Sequence, residues 1–411
     1  LILDSTVFRS LHKPNIKKFL EEKLVDIDRK IEEYRLDDSS KGLLLELINK
    51  LLEHKFLSEE DLNKFLIDEL NYGKSKNMYI EFITNIESLS YNDWIERINL
   101  LEVKEYRIRN KVTNDYYIND IEKFIDTGEK KLVYSEIEHD GENIKCIRLL
   151  LGEGVILRDS SNRCNNYYSV EINLELMIIA VRIINWGDEI LPKYAPDNKF
   201  KEIFSDIKSI FTIKSHATLD FTQKLVYKLV NDLTGKVLDS TTKYVDGILK
   251  KDIIQKVEYW GRQVLGDGKS IQKSDKDVIC ELILNNYYRV KMSKDYKRLT
   301  PKILMDKFDV QAYPRQVKFF DDTVGEGKAR SSKPMESVLD TSVFYDIKAR
   351  LDKEKNIKNS IIYWLGCKAE KHFGTAIHVD NHNRFKVVFY PKYYFNKEKC
   401  DYVLREIKKY C

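Results

Sequence analysis

The residues of this chain whose types and spacing come nearest to a reactive centre are Cys367, His372, His378, His382 and Cys400. Zinc takes four N or S ligands in a tetrahedron, usually delivered as short-spaced pairs. His378 and His382 form such a pair, but they span a predicted strand and turn, and no CxxC or HExxH frame accompanies them. Surface and hairpin histidines are therefore the reading adopted, and neither a metal nor another cofactor is expected.

Three further constellations fall short in instructive ways. Glu102-Val103-Lys104, with Asp93 upstream, has the short pattern of metal-dependent nucleases, in which two carboxylates hold Mg²⁺ and a lysine polarises the attacking water. In a chain this rich in Glu and Lys such triplets arise by chance, and Glu102 follows a predicted helix rather than a strand. Gly325-Glu326-Gly327-Lys328 suggests a backbone cradle for phosphate. A P-loop would need glycine where Asp322 stands, and a dinucleotide fingerprint would need it where Arg330 stands. The stretch Asp321–Pro334 is accordingly expected to be a mobile surface loop, with Lys328, Arg330 and Lys333 placed for contact with a DNA or RNA backbone. Ser215, His216 and Asp220 lie close in sequence, but adjacency does not assemble a triad, and no GxSxG elbow is present. With no catalytic frame complete, the expectation leans away from an enzyme.

Basic residues interleaved with aromatics occur twice. Tyr287-Tyr288-Arg289 is followed by Lys291, Lys294, Lys297 and Arg298, and Tyr390–Lys399 supplies Lys392, Tyr393, Tyr394 and Lys397. Cations neutralise phosphates and exposed rings stack on unpaired bases; the competing reading is core rings rimmed by solvated lysines. Net charge points the same way. Residues 1–200 hold 29 Lys+Arg against 38 Asp+Glu, or −9, whereas residues 201–411 hold 41 against 28, or +13. An acidic front and a basic back suit a protein partner for the first and a polyanion for the second, unless the halves neutralise each other within or between chains.

Positioning these residues requires several elements. At 411 residues, with 43% apolar and 33% charged side chains, the chain should form two to four folded domains with a solvated surface. The expected class is multidomain α+β: a helical N-terminal domain over 1–127, a small antiparallel β unit over 128–192, a second helical segment over 193–293 and a basic α+β domain over 294–411. In the first, Ile16, Phe19, Leu20, Ile27 and Ile31 recur at helical spacing, and Ser58-Glu59-Glu60-Asp61 reads as a capping box. In the second, Asp140-Gly141 marks a hairpin. The central stretch is Tyr167–Trp186. Tyr168, Val170, Ile172 and Leu174 alternate there with Ser169, Glu171, Asn173 and Glu175, predicting a strand with one wet face, and Leu176–Ile184 predicts a buried strand.

The six cysteines form no disulfide or zinc framework, the first residues show no signal peptide, and no apolar run reaches the roughly 18 residues of a membrane span. The expectation is a cytoplasmic subunit of a larger assembly. Its acidic helical front would dock on proteins and its basic back would approach DNA or RNA, in a setting such as antiviral defence or another genome conflict. A metal-dependent nuclease and a pure protein-interaction scaffold are the alternatives.

Overall fold

The computed structural model describes the chain apart from residues 1, 24, 38–41, 74–75, 88, 102–113, 159–161, 243–247, 267–270, 322–324, 334, 368–371, 381–383 and 391–395. Thirteen α-helices and twelve strands among the described residues make it an α+β protein. They fall into two compact units, Leu1–Ala217 with Pro391–Arg405, and Thr218–Tyr390 with Glu406–Cys411.

In the first unit five helices come first: α1 (Ser5–Phe8), α2 (Lys13–Glu22), α3 (Ile27–Glu33), α4 (Leu43–Glu53) and α5 (Glu59–Tyr72). Their apolar stripes meet in one core, where Ile16, Leu20, Leu47, Leu62 and Leu66 are fully buried. Ser58 starts α5 by accepting the Asp61 N–H, which satisfies a donor that the first helical turn leaves open. Strand β1 (Lys76–Ile86) follows, then α6 (Tyr91–Asn99), β2 (Asn114–Ile118), β3 (Lys130–Asp140), β4 (Asn143–Ile156), β5 (Arg163–Asn173), β6 (Ile178–Ile184), α7 (Pro196–Phe211) and β7 (Ile213–His216). The strand order is β2-β3-β4-β5-β6-β1, with β7 also on β1. All these pairings are antiparallel.

Two expectations are corrected here. The helical reading of residues 1–127 misses β2 and β1, the latter with a KNMYIEFITNI sequence that is β-branched and aromatic and is apolar on both sides. Tyr79 and Ile83 enter the core under α6 and α7; Met78 and Ile80 are buried opposite them. The predicted wet face of β5 is also wrong. Ser169 and Glu171 are as inaccessible as Tyr168 and Val170, because a second layer of structure lies over that face as well.

The second unit contains α8 (Leu219–Thr242), α9 (Ile248–Leu265), α10 (Lys273–Asp295), α11 (Pro301–Phe308), β8 (Ala312–Asp321), β9 (Gly325–Arg330), α12 (Ser342–Glu354), β10 (Asn359–Trp364), β11 (Phe373–Asp380) and β12 (Arg384–Phe389). Its strands run in the antiparallel order β12-β11-β10-β8-β9. Helices α8 and α12 pack against them. The closing helix α13 (Lys397–Lys408) groups with the first unit through Arg405 and with the second from Glu406. The charge asymmetry follows these units: the first carries 36 Lys+Arg against 42 Asp+Glu, or −6, and the second 34 against 24, or +10.

On the covered face of the first unit, charges are paired across strands rather than solvated. Glu136, Arg148 and Glu171 are successive register partners on β3, β4 and β5. Arg148 reaches Glu136 at 3.1 Å and Glu138 at 2.8 Å. Arg182 of β6, fully buried, donates to Glu171 at 2.7 Å and lies over the Tyr72 ring of α5. Burial works against the Glu171 carboxylate, but Arg182 and Arg148 hold it below the ordinary range. Burial also lifts the neighbouring Cys400 thiol to about 12, against the pull of Arg182.

Candidate nucleic-acid interface

In the second unit β9, β12 and β8 from Val317 onward alternate between a dry and a wet side, whereas β10 and β11 are buried on both sides except at Asn359, His378 and Asp380. Along β12, Phe385, Val387 and Phe389 are buried, while Arg384, Lys386 and Val388 are partly exposed. Along β8, Val317 and Phe319 are buried, and Lys318 and Phe320 reach solvent. Direct antiparallel partners point to the same face, so the register can be read across the sheet. Lys328 stands opposite Lys318, Lys318 opposite Asn359, Asn359 opposite His378, and His378 opposite Lys386. One polar row with three lysines therefore crosses all five strands. At about 4.8 Å per strand it is roughly 19 Å long, the reach of a few nucleotides.

The row is ordered at its centre and cationic at its ends. Gln316 donates to Asn359 at 2.7 Å, and the Asn359 amide contacts His378 Nδ1 at 2.6 Å. Toward one side lie Phe320, 37% exposed, and the Lys358 ammonium, 4.0 Å from the centre of its ring. Arg330, exposed, flanks the row opposite Gln316. Glu326 neutralises Lys318 at 2.7 Å, and Asp380 pairs with Arg384. Those two acids leave Lys328, Arg330 and Lys358 as a positive excess on the face. At the other end Tyr363 stacks on Tyr313 at 5.6 Å and tilts toward Tyr390 at 6.5 Å. Gly374 makes this possible, because a Cβ there would sit 2.7 Å from the Tyr390 ring. Burial and the neighbouring Tyr363 push the Tyr390 hydroxyl pKa up, while Arg315 and Arg330 draw it down, so both guanidiniums lie within electrostatic reach of that ring.

Of the residues singled out from sequence, Lys328 and Arg330 belong to this face. They do so from a strand: β9 occupies Gly325–Arg330, where a mobile loop was expected. Gly327 is there to pack, not to cradle phosphate, since its Cβ would fall 2.4 Å from the Phe319 ring. Lys333 and Arg298 converge separately on Glu336, at 3.7 and 3.5 Å. Arg289, Lys291 and Lys294 ride on α10, and Lys297 follows it, exposed. Tyr288 beside them is buried while Tyr287 is open. Lys397 groups with the first unit, where it lines a cleft of about 560 Å³ with Lys64, Asp68, Tyr134 and Arg148. Lys392, Tyr393 and Tyr394 lie outside the described residues, as do Glu102, Lys104 and His382.

The other constellations are put to structural use. Asp93 closes a capping box with Ser90. Ser215 donates to Glu81 at 2.5 Å, and Asp220 pairs with Lys224. Cys400 sits beside Arg182. No group of three or more metal-capable side chains occurs among the described residues, and no helix among them is long and apolar enough to cross a membrane. Lys318, Phe320, Lys358, Asn359 and Lys386 were missed from sequence. The alternation in Arg384–Phe389 was a usable signal for Lys386, but the register that aligns five strands is not a local property. Comparison of the chain with protein-family models, with curated proteins and with solved structures finds no match.

Proposed function

We propose that this chain is a non-catalytic subunit that holds single-stranded nucleic acid on the open sheet face of its second unit and meets protein partners through its acidic first unit. The observation that carries the reading is the row Lys328–Lys318–Asn359–His378–Lys386 on a face with an excess of cations. Exposed Phe320 offers a ring for a base, and the lysines and arginines around it offer charge to phosphates. The amides of Gln316 and Asn359 supply fixed donors and acceptors between them.

The test is fluorescence anisotropy with labelled single-stranded DNA and RNA oligonucleotides over a salt series. Binding should weaken steeply with salt, and the triple variant K328E/R330E/K386E should lower affinity at least about tenfold and flatten the salt slope. Phe320→Ala should cost about 1 kcal/mol or more of binding, without changing the slope. Failure of the unaltered chain to bind either oligonucleotide at low salt refutes the reading. So does equal binding by the triple variant.

A further inference from the structure

Helices α8, α10 and α12 form a cleft of about 340 Å³ to which, among the described residues, no strand contributes, a size that suits a small molecule. Asp232 and Asp239 of α8, Glu281 of α10 and Asp352 of α12 line it, against two lysines, Lys236 and Lys348. Each lysine pairs with an acid of its own helix: Lys236 reaches Asp232 at 3.5 Å, and Lys348 reaches Asp352 at 2.7 Å. Four carboxylates thus face two ammoniums in a unit whose own charge is +10, so composition does not account for the negative excess. Among the described residues no three acids come together as a bound metal ion requires. Carboxylates dispersed over three helices suit an organic cation instead.

Two uncharged residues mark the same cleft as a place for a ligand. Asn285 of α10 lines it and is 3% exposed, yet its Nδ2 has no hydrogen-bond partner. A buried polar group left in that state costs about 1–3 kcal/mol. Gly235 lies inside α8, where glycine is about 1 kcal/mol less favourable than alanine. A Cβ there would meet only the Asp239 carboxylate, at 4.0 Å. No neighbour excludes a side chain at that position, so the glycine serves to keep the cleft open. The Asn285 amide presents a carbonyl acceptor beside an N–H donor, the complement of an α-ammonium beside an α-carboxylate. The surplus carboxylates complement a second cation on the same molecule. We propose that this cleft binds a free basic α-amino acid, its zwitterionic end on Asn285 and its side-chain cation among the carboxylates.

Isothermal titration calorimetry on the full chain, with lysine and arginine as probes, tests this. At least one should bind with a Kd below about 1 mM. The decarboxylated analogue of the one that binds, cadaverine or agmatine, should bind at least about tenfold more weakly, as should norleucine, which has no side-chain cation. Gly235→Leu should abolish binding while the thermal midpoint holds or rises, because leucine is the better helix former and meets open space. Asn285→Leu should weaken binding about tenfold and narrow the gap between the amino acid and its decarboxylated analogue. Absence of binding by both amino acids overturns the inference. So does a decarboxylated analogue that binds as tightly, or undiminished binding by Gly235→Leu. Equal affinity for Nα-acetyl-lysinamide overturns it as well, since a side chain within a partner peptide would then suffice.

Discussion

Both units draw a line of charged and polar side chains across antiparallel strands, yet the two lines do opposite things. In the first unit Glu136, Arg148, Glu171 and Arg182 alternate in sign, and all but the half-buried Glu136 are shut away from water. In the second, Lys328, Lys318, Asn359, His378 and Lys386 are cationic or neutral and remain partly open. Desolvated charge survives only when each group meets its opposite, so the first line is committed internally. An excess of one sign is tolerable where water reaches it, and it stays available to an outside polyanion. The lesson is that covering a sheet face decides whether its charges hold the protein together or reach beyond it.

The comparison breaks most visibly at Glu171. Glu171→Leu leaves Arg182 buried without its carboxylate, and urea unfolding should show a loss of about 3–5 kcal/mol. The double variant Glu171→Leu/Arg182→Met should regain most of it. A loss below about 1 kcal/mol in the single variant would mean the line is not truly desolvated. Lys76 gives a smaller, pH-dependent effect. Burial pushes its amine down to about 7, with Glu69 pulling the other way, and it donates to the Leu70 carbonyl. The folded chain thus releases a proton that the unfolded chain keeps until its ordinary pKa near 10.5. Stability should rise as pH climbs from about 7 toward 10. Lys76→Met should flatten that rise and stabilise the chain near neutrality, as unfolding measured at pH 7, 8 and 9 would reveal. The smallest effect belongs to the open line: Lys328→Glu should move stability by no more than about 0.5 kcal/mol while weakening oligonucleotide binding. A collapse of the fold in that variant would place Lys328 with the committed charges instead.

Much of the architecture is legible in the residues themselves. Helical spacing of Leu62, Leu66 and Leu70 behind Ser58 marks α5, and Asp140-Gly141 marks the β3–β4 hairpin, where Gly141 has a φ of 60°. What could not be read is which faces are covered. Glu171 alternates with Val170 and Ile172 as a solvated residue would, and only the layer containing Tyr72 and Cys400 makes it interior. Glycine misled at β9 for a related reason, because Gly327 yields space to a ring eight residues earlier in the chain. For the candidate interface, Lys328 and Arg330 stand out as a basic cluster, but their companions come from β8, β10 and β12, tens of residues apart. Their alignment depends on pairing register, which hydrophobic pattern and turn geometry fix jointly over the whole sheet.

The last strand of that sheet, β9, has a further consequence. Among the described residues it pairs with β8 alone, and an unpaired strand border is a template on which other chains can zip into fibres. Lys328 and Arg330 stand exposed on that strand, and like charges on an incoming copy would repel it. The side chains offered to phosphate thereby also act as gatekeepers against aggregation, so stripping them to abolish binding would trade away solubility as well.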